Sequence, residues 1–275
     1  MKIKHLLLFS VFVATFSACS NNDDNNTNTN SENSFLPLNV DDYWVYDVIS
    51  EQMTNEDSIF VASEETLNGL NYSNFGTRDP FYGFYAGAVK NNKVRKEGSQ
   101  MFLTGSLNTA ALGDFIDVPI VLNDFIFFNE NGTLNQQLDM ETGVIEQDLQ
   151  GTPLNITYTL KSTSLGSLET FNAPNGTVYN NVKTVQVSLQ LYVSTTFESD
   201  PLPIPITIAV LEAQDVLIST LYFVENIGVV YASTNYQYEL NPNLFGNPLI
   251  PVPDLGIPSE ASFVVTEHLK SYNIN

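Results

Sequence analysis

The sequence predicts an all-β domain, a curved antiparallel sheet or an open (half) barrel with little helix. Three observations predict it: apolar residues recur with a period of two, Asn-Gly dipeptides punctuate the runs, and stretches with a 3.6-residue period are scarce. In Lys183 to Val193, the apolar Val185, Val187, Leu189, Leu191 and Val193 alternate with Thr184, Gln186, Ser188, Gln190 and Tyr192. That is a strand with one buried face. Strands wet on one face belong to antiparallel sheets, because parallel sheets are covered on both.

Along the chain, Trp44, Tyr46 and Val48 alternate with Val45 and Asp47, which places Trp44 in the core. Asn68-Gly69, Asn131-Gly132 and Asn175-Gly176 suit tight hairpins. Phe81-Tyr82-Gly83-Phe84-Tyr85 sets four aromatics in five positions. They form either a strand with rings packed on both faces or a platform for a sugar or lipid, with Phe81, Tyr82, Phe84 and Tyr85 as the ligand-binding residues. Lys90, Lys93, Arg95 and Lys96 read as a solvated hairpin tip, or as a contact for anionic headgroups. Leu107 to Phe115 is a helix candidate, and Phe125 to Phe128 a buried strand entering a hairpin. Asp139 and Glu141, then Glu146 and Asp148, put alternate carboxylates on a solvated hairpin or on a surface for calcium. Leu154 to Leu160 is another half-buried strand. Pro201, Pro203 and Pro205 exclude helix and leave extended chain at a sheet edge. Ala209 to Thr220 reads as helix or strand, and Gly228 between Ile227 and Val229 marks a bulge or bend. Tyr236, Tyr238 and Leu240 alternate with polar neighbours. Pro242 to Pro258 is an irregular loop before a last, edge-like strand over Ala261 to Leu269.

Composition removes most site chemistry. The 275 residues hold one Cys, two His and one Trp, with 10 basic against 31 acidic groups. Zinc sites need several Cys or His ligands, and a Ser-His-Asp arrangement needs a histidine beside its nucleophile. His268 is the one candidate base beyond the N-terminal segment, and its place beside Glu267 reads as structural. No catalytic residue, metal or cofactor is nominated. Nucleic acid is excluded as a partner, since its phosphates attract clustered Lys and Arg. Charged residues make up 15%, below the roughly 25% of ordinary soluble domains. Solubility therefore rests on hydroxyls, net negative charge and the amides of 31 Asn.

Residues 1–18 read as a secretion signal: Lys2 and Lys4 start it, Leu6 to Phe16 is apolar, and Ser17-Ala18 precede the cut. Phe16-Ser17-Ala18-Cys19 resembles the lipobox of bacterial lipoproteins, in which the Cys receives palmitate-type acyl chains; an ordinary signal peptide is the alternative. Lipidation at Cys19 implies a permanent membrane anchor, since two or more chains hold a protein stably. Cleavage there removes Lys2 and Lys4 and takes the net charge from −21 to −23. Residues 19–34 read as a disordered Asn-rich tether without enough apolar surface to order it. Residues 35–275 then form a single domain. Ser20 resembles outer-membrane sorting and Asp23-Asp24 the surface-export signal of Bacteroidota lipoproteins, which implies an outer-membrane and possibly surface-exposed protein. Asp57-Ser58-Ile59 resembles the O-glycosylation triplet of that phylum, with Ser58 as acceptor; such triplets also arise by chance.

Phe35-Leu36-Pro37-Leu38-Asn39-Val40-Asp41-Asp42-Tyr43-Trp44-Val45-Tyr46 is similar to an opening shared by uncharacterised Bacteroidota lipoproteins, with Asp41-Asp42 where Gly-Asn is usual. Gly176 to Val182 and Leu221 to Val230 resemble later phrases of the same proteins. The resemblance implies a fold like the half-barrel of lipoprotein carriers, with a hydrophobic concave side and no known reaction. The expected function is a non-enzymatic envelope module holding an apolar ligand or partner on that side. Surface glycan binding is the alternative, and a carboxylate-based hydrolase the distant one.

Overall fold

The computed structural model describes residues 34–51, 53–90, 92–107, 119–149, 151–197, 205–244 and 258–275. The signal, Cys19, the tether, most of the helix candidate at 107–115, Pro201 and Pro203, and most of the Pro-rich loop lie outside them. Twelve strands and one short helix follow in order: β1 (Tyr43–Ser50), β2 (Thr54–Leu67), β3 (Leu70–Thr77), α1 (Phe84–Val89), β4 (Lys93–Glu97), β5 (Gln100–Leu107), β6 (Ile120–Asn129), β7 (Gln136–Leu149), β8 (Thr152–Asn172), β9 (Val178–Phe197), β10 (Ile206–Val224), β11 (Gly228–Glu239) and β12 (Glu260–Asn273). All strands form one sheet in the order β6-β5-β4-β3-β2-β1-β12-β11-β10-β9-β8-β7. Every ladder is antiparallel. Among the described residues no helix is long and apolar enough to cross a membrane.

The sheet nearly closes into a barrel. The first and last strands are laddered together at its middle, with Trp44 opposite Tyr272. The open seam lies between β6 and β7, which are joined through side chains. Asp139 Oδ2 accepts the Ile126 N–H at 2.8 Å, and the Ser162 hydroxyl donates to the Ile126 carbonyl at 2.5 Å. β6 packs against β7, β8 and β9, and its Phe127 and Phe128 meet Phe223 of β10 at 6.5 and 4.3 Å between ring centres.

Antiparallel meandering sends alternate connections to opposite ends. One end carries tight turns. Asn68 and Gly69 both take positive φ, 53° and 81°, as a two-residue hairpin requires. Gly228 takes φ 107° at the start of β11, paired in register with Val224; the bulge lies two residues further on, at Val230, where the register shifts between Tyr222 and Phe223. The first and last described residues sit here: the Asn226 N–H donates to the Ser34 carbonyl at 2.7 Å, and Asp42 accepts the N–H groups of Asn39 and Asn275 at 2.9 and 2.8 Å. The other, long-loop end carries the connection from β3 to β4, which includes α1.

The concave side is not an open groove. Trp44, Tyr46, Ile59, Phe125, Phe128 and Phe223 fill it, and all are fully buried. α1 enters from the long-loop end as a plug and buries Phe84, Tyr85, Ala86 and Val89. The cavity that remains beside α1 is about 40 Å³, lined entirely by apolar side chains such as Leu103, Leu122 and Val187 with the Tyr85 ring. That is the room of one or two waters.

Three sequence expectations change. Ala209 to Thr220 is strand, within β10. The last strand is not an edge, because β12 is laddered to both β1 and β11. The acidic pairs of 139–148 occupy one continuous strand, β7, rather than a hairpin.

Candidate functional site

The four aromatics of 81–85 separate into two pairs. Phe81 and Tyr82 remain more than a third exposed, whereas Phe84 and Tyr85 are buried in α1. They form neither a strand nor one platform. Gly and aromatics are poor helix formers, so the turn needs support from elsewhere. Two buried carboxylates provide it. Asp57 of β2 accepts the Tyr82 N–H at 2.9 and 3.1 Å and the Gly83 N–H at 2.7 Å. Glu267 of β12 accepts the Tyr85 N–H at 2.8 Å and the Ala86 N–H at 3.3 Å. Together they satisfy three N–H groups at the helix start, those of Gly83, Tyr85 and Ala86, that find no partner within the helix, and the Tyr82 N–H just before it. Gly83 is fitted to this arrangement, since a Cβ there would lie 2.2 Å from the Glu267 carboxyl carbon.

Burial raises both carboxyls. Glu267 is pushed up to about 7 from an ordinary 4.5, first by desolvation and then by the Asp57 charge, against the lowering effect of the N–H donors. Asp57 is raised by desolvation, with the Gly83 and Tyr82 N–H groups opposing. The Tyr85 hydroxyl, also buried, has no hydrogen-bond partner among the described residues.

Above this plug a cleft of about 580 Å³ opens at the long-loop end. Val48 and Ser50 of β1 and Ala261, Phe263 and Val265 of β12 form its floor and one wall. Phe81 and Tyr82 form the opposite rim, with Glu51 and Met53 from the β1–β2 turn. Phe263 stacks on the buried Tyr236 at 4.8 Å and 18° between ring planes. Met53, Phe81, Tyr82 and Phe263 are all large apolar side chains left exposed around this one opening. Its volume is in the range of small-ligand sites. Glu51 is the acid of the lining, and no Lys, Arg or His contributes to it.

Other candidates resolve into structural roles. The four cations are ion-paired: Lys90 with Asp79, Lys93 with Glu65, Arg95 with Asp124 and Glu97, and Lys96 with Glu130. Three of them lie in β4 rather than at a hairpin tip, and Arg95 is buried with its guanidinium 3.8 Å above the Phe102 ring. Each cation of this cluster therefore has an acidic partner. Asp139 is committed to the β6–β7 seam, and among the described residues no cluster of three or more metal-ligating side chains exists. His268 is buried against Tyr231, with its Nε2 3.0 Å from the Thr266 hydroxyl. Burial lowers its pKa, opposed by Asp47. Ser58 is half-buried on the outward face of β2, opposite Val45, while its neighbour Asp57 points inward.

Sequence reasoning missed Glu267 and Asp57. A signal was present: Glu267 shares its parity with Phe263, Val265 and Leu269, and Asp57 with Ile59 and Val61. An acid on the apolar side of an alternating strand is a buried acid with a partner to find.

No protein-family model matches the chain, and no curated protein matches it. Among solved structures, it is similar to the crystal structure of a candidate lipoprotein from Parabacteroides distasonis, at 12% identity and a TM-score of 0.39. The likeness covers 88% of this chain and 99% of the other. At that score the likeness carries no argument about fold or function.

Proposed function

We propose that this chain is a lipid-anchored protein of the cell envelope, acylated at Cys19, whose domain holds an apolar group in the cleft at its long-loop end. One observation carries the binding part: Met53, Phe81, Tyr82 and Phe263 leave their apolar surfaces uncovered around a single cavity of about 580 Å³. Because the barrel interior is filled, this reading puts the site at the barrel mouth rather than on the concave side. Among the described residues the lining carries an acid and no cation, and the net charge of −21 becomes −23 once Lys2 and Lys4 are removed. Such a field repels anions, so the ligand has a neutral or cationic head and is not a fatty acid. The anchor rests on the lipobox-like run ending in Cys19, and outer-membrane residence on Ser20 and the acidic pair behind it. Partners are the membrane, through the acyl chains, and the occupant of the cleft.

Thermal stability of the purified protein, titrated with monoacylglycerol, decyltrimethylammonium, decanoate and neutral oligosaccharides, tests the reading. Saturation at 100 times the dissociation constant adds about 2.7 kcal/mol. Stabilisation by monoacylglycerol or decyltrimethylammonium that Phe263→Ser abolishes supports an apolar site. Stabilisation by oligosaccharide alone replaces it with glycan binding, and no response to any of them removes the reading. Loss of membrane fractionation in Cys19→Ser is expected, and retention there defeats the anchor.

A further inference from the structure

Two carboxyl groups, both fully buried, face the same five-residue turn, Tyr82 to Ala86, from different strands. Asp57 comes from β2 and Glu267 from β12, and between them they hold the N–H groups of Tyr82, Gly83, Tyr85 and Ala86. The other ionisable groups acting on Glu267 are phenols: Tyr46 of β1, Tyr85 of α1 and Tyr236 of β11. No cation is among them. The neighbouring His268 faces the opposite side of β12, against Tyr231, and Lys270 is taken by Asp47 and Glu56. Two like charges buried together without a cation cannot both be ionised at low energy. The turn that they hold is also the rim of the cleft, because Tyr82 lines the opening and is tied directly to Asp57.

We propose that Asp57 and Glu267 keep one proton between them, and that its loss loosens α1 together with the Phe81–Tyr82 rim, so that the cleft is opened and closed by pH. The second half rests on the function proposed above; the first half does not. A protonated Glu267 keeps one oxygen to accept the short bond from Tyr85, and gives up little at the longer Ala86 contact. When the proton leaves, the pair carries two charges whose relief is exposure to water, and among the described residues the short element between them and solvent is the plug they hold.

The sign follows from the raised carboxyl. In the loosened state Glu267 ionises at its ordinary 4.5, and in the docked state at about 7. Docking is therefore strongest below pH 4.5, weakens as pH rises between the two values, and changes no further above about 8. With those values the opening constant rises roughly 30-fold between pH 5.5 and pH 8.

Amide hydrogen exchange of the full chain, followed by mass spectrometry over the peptide 78–90 and normalised to the intrinsic rate at each pH, measures that constant without any ligand. Protection of this peptide should fall roughly 30-fold from pH 5.5 to pH 8, while peptides of β9 and β10 stay protected. Carboxyl carbon resonances of labelled protein should show one of the two groups titrating near neutrality. E267Q should abolish the pH dependence, and D57N should weaken it. Protection that does not change with pH, or two carboxyls that both titrate below pH 5, overturns the proposal in the unmodified protein, whether or not either variant folds. A plug that responds to pH while probe affinity for the cleft does not would leave the shared proton standing and remove the coupling.

Discussion

Replacing Gly83 with alanine isolates the contact on which the plug depends. The backbone at Gly83 has φ −84° and ψ 152°, an extended conformation open to any residue. A methyl group therefore adds no dihedral strain, only volume, and that volume coincides with the Glu267 carboxyl, 2.2 Å away from its carbon. Either the carboxyl withdraws from Tyr85 and Ala86 or the turn lifts off. Losing hydrogen bonds to an acid buried at this depth costs about 1.5–3 kcal/mol, and overpacking a core adds about 1–3 kcal/mol. The sum, about 2.5–6 kcal/mol, lowers Tm by about 5–20 °C for a domain of this size. Differential scanning calorimetry reads it directly. The control is Gly98→Ala, which meets no atom within 4 Å but sits at φ +57° and costs about 1 kcal/mol through backbone strain alone. If Gly83→Ala melts no lower than Gly98→Ala, Glu267 does not pack against the turn and the account of α1 is wrong.

Three further substitutions probe the rest of the frame. Arg95→Lys loses a two-pronged contact to Asp124, both arms 3.1 Å, and the stack on Phe102; chemical denaturation should show a loss of about 2 kcal/mol. Trp44→Phe leaves the Ile227 carbonyl without its indole donor and a gap beside Leu36, costing about 2–4 kcal/mol by circular dichroism melts. Asp139→Ala frees the Ile126 amide at the seam. Exchange should accelerate about tenfold at residues 124–129, in line with one lost hydrogen bond of roughly 1–2 kcal/mol, with little change in β1 or β12.

Strand content and direction were legible wherever alternation was clean. Lys183 to Val193 lies in β9 and Leu154 to Leu160 in β8, with the apolar parity buried in both. Ala209 to Thr220 was ambiguous for a physical reason. Register shifts at Ala209/Leu211, Leu211/Gln214 and Asp215/Leu217 break β10's alternation. Val210 and Leu211 are then buried together, as are Val216 and Leu217, a spacing that imitates a helix face. The converse error occurred at 84–89, where nothing local signals a helix. Its support comes from residues 26 and 182 positions away in sequence. The cleft was half legible: Phe81 and Tyr82 stood out as aromatics, but Met53 and Phe263 join them only because the β1–β12 ladder brings the two ends of the domain side by side.

That ladder has a kinetic meaning. β1 is the first strand of the domain to be made, and its partner β12 is the last. A chain delivered N-terminus first presents Trp44 and Tyr46 long before Tyr272 and Leu269 exist to cover them. Contacts separated by so much sequence form late and make folding slow. With this topology the β1 edge stays unpaired on one side, and the sheet stays unfinished, until β12 has been made. The lone Trp44, hydrogen-bonded to Ile227 and paired with Tyr272, stands where its fluorescence would record the moment the two ends meet.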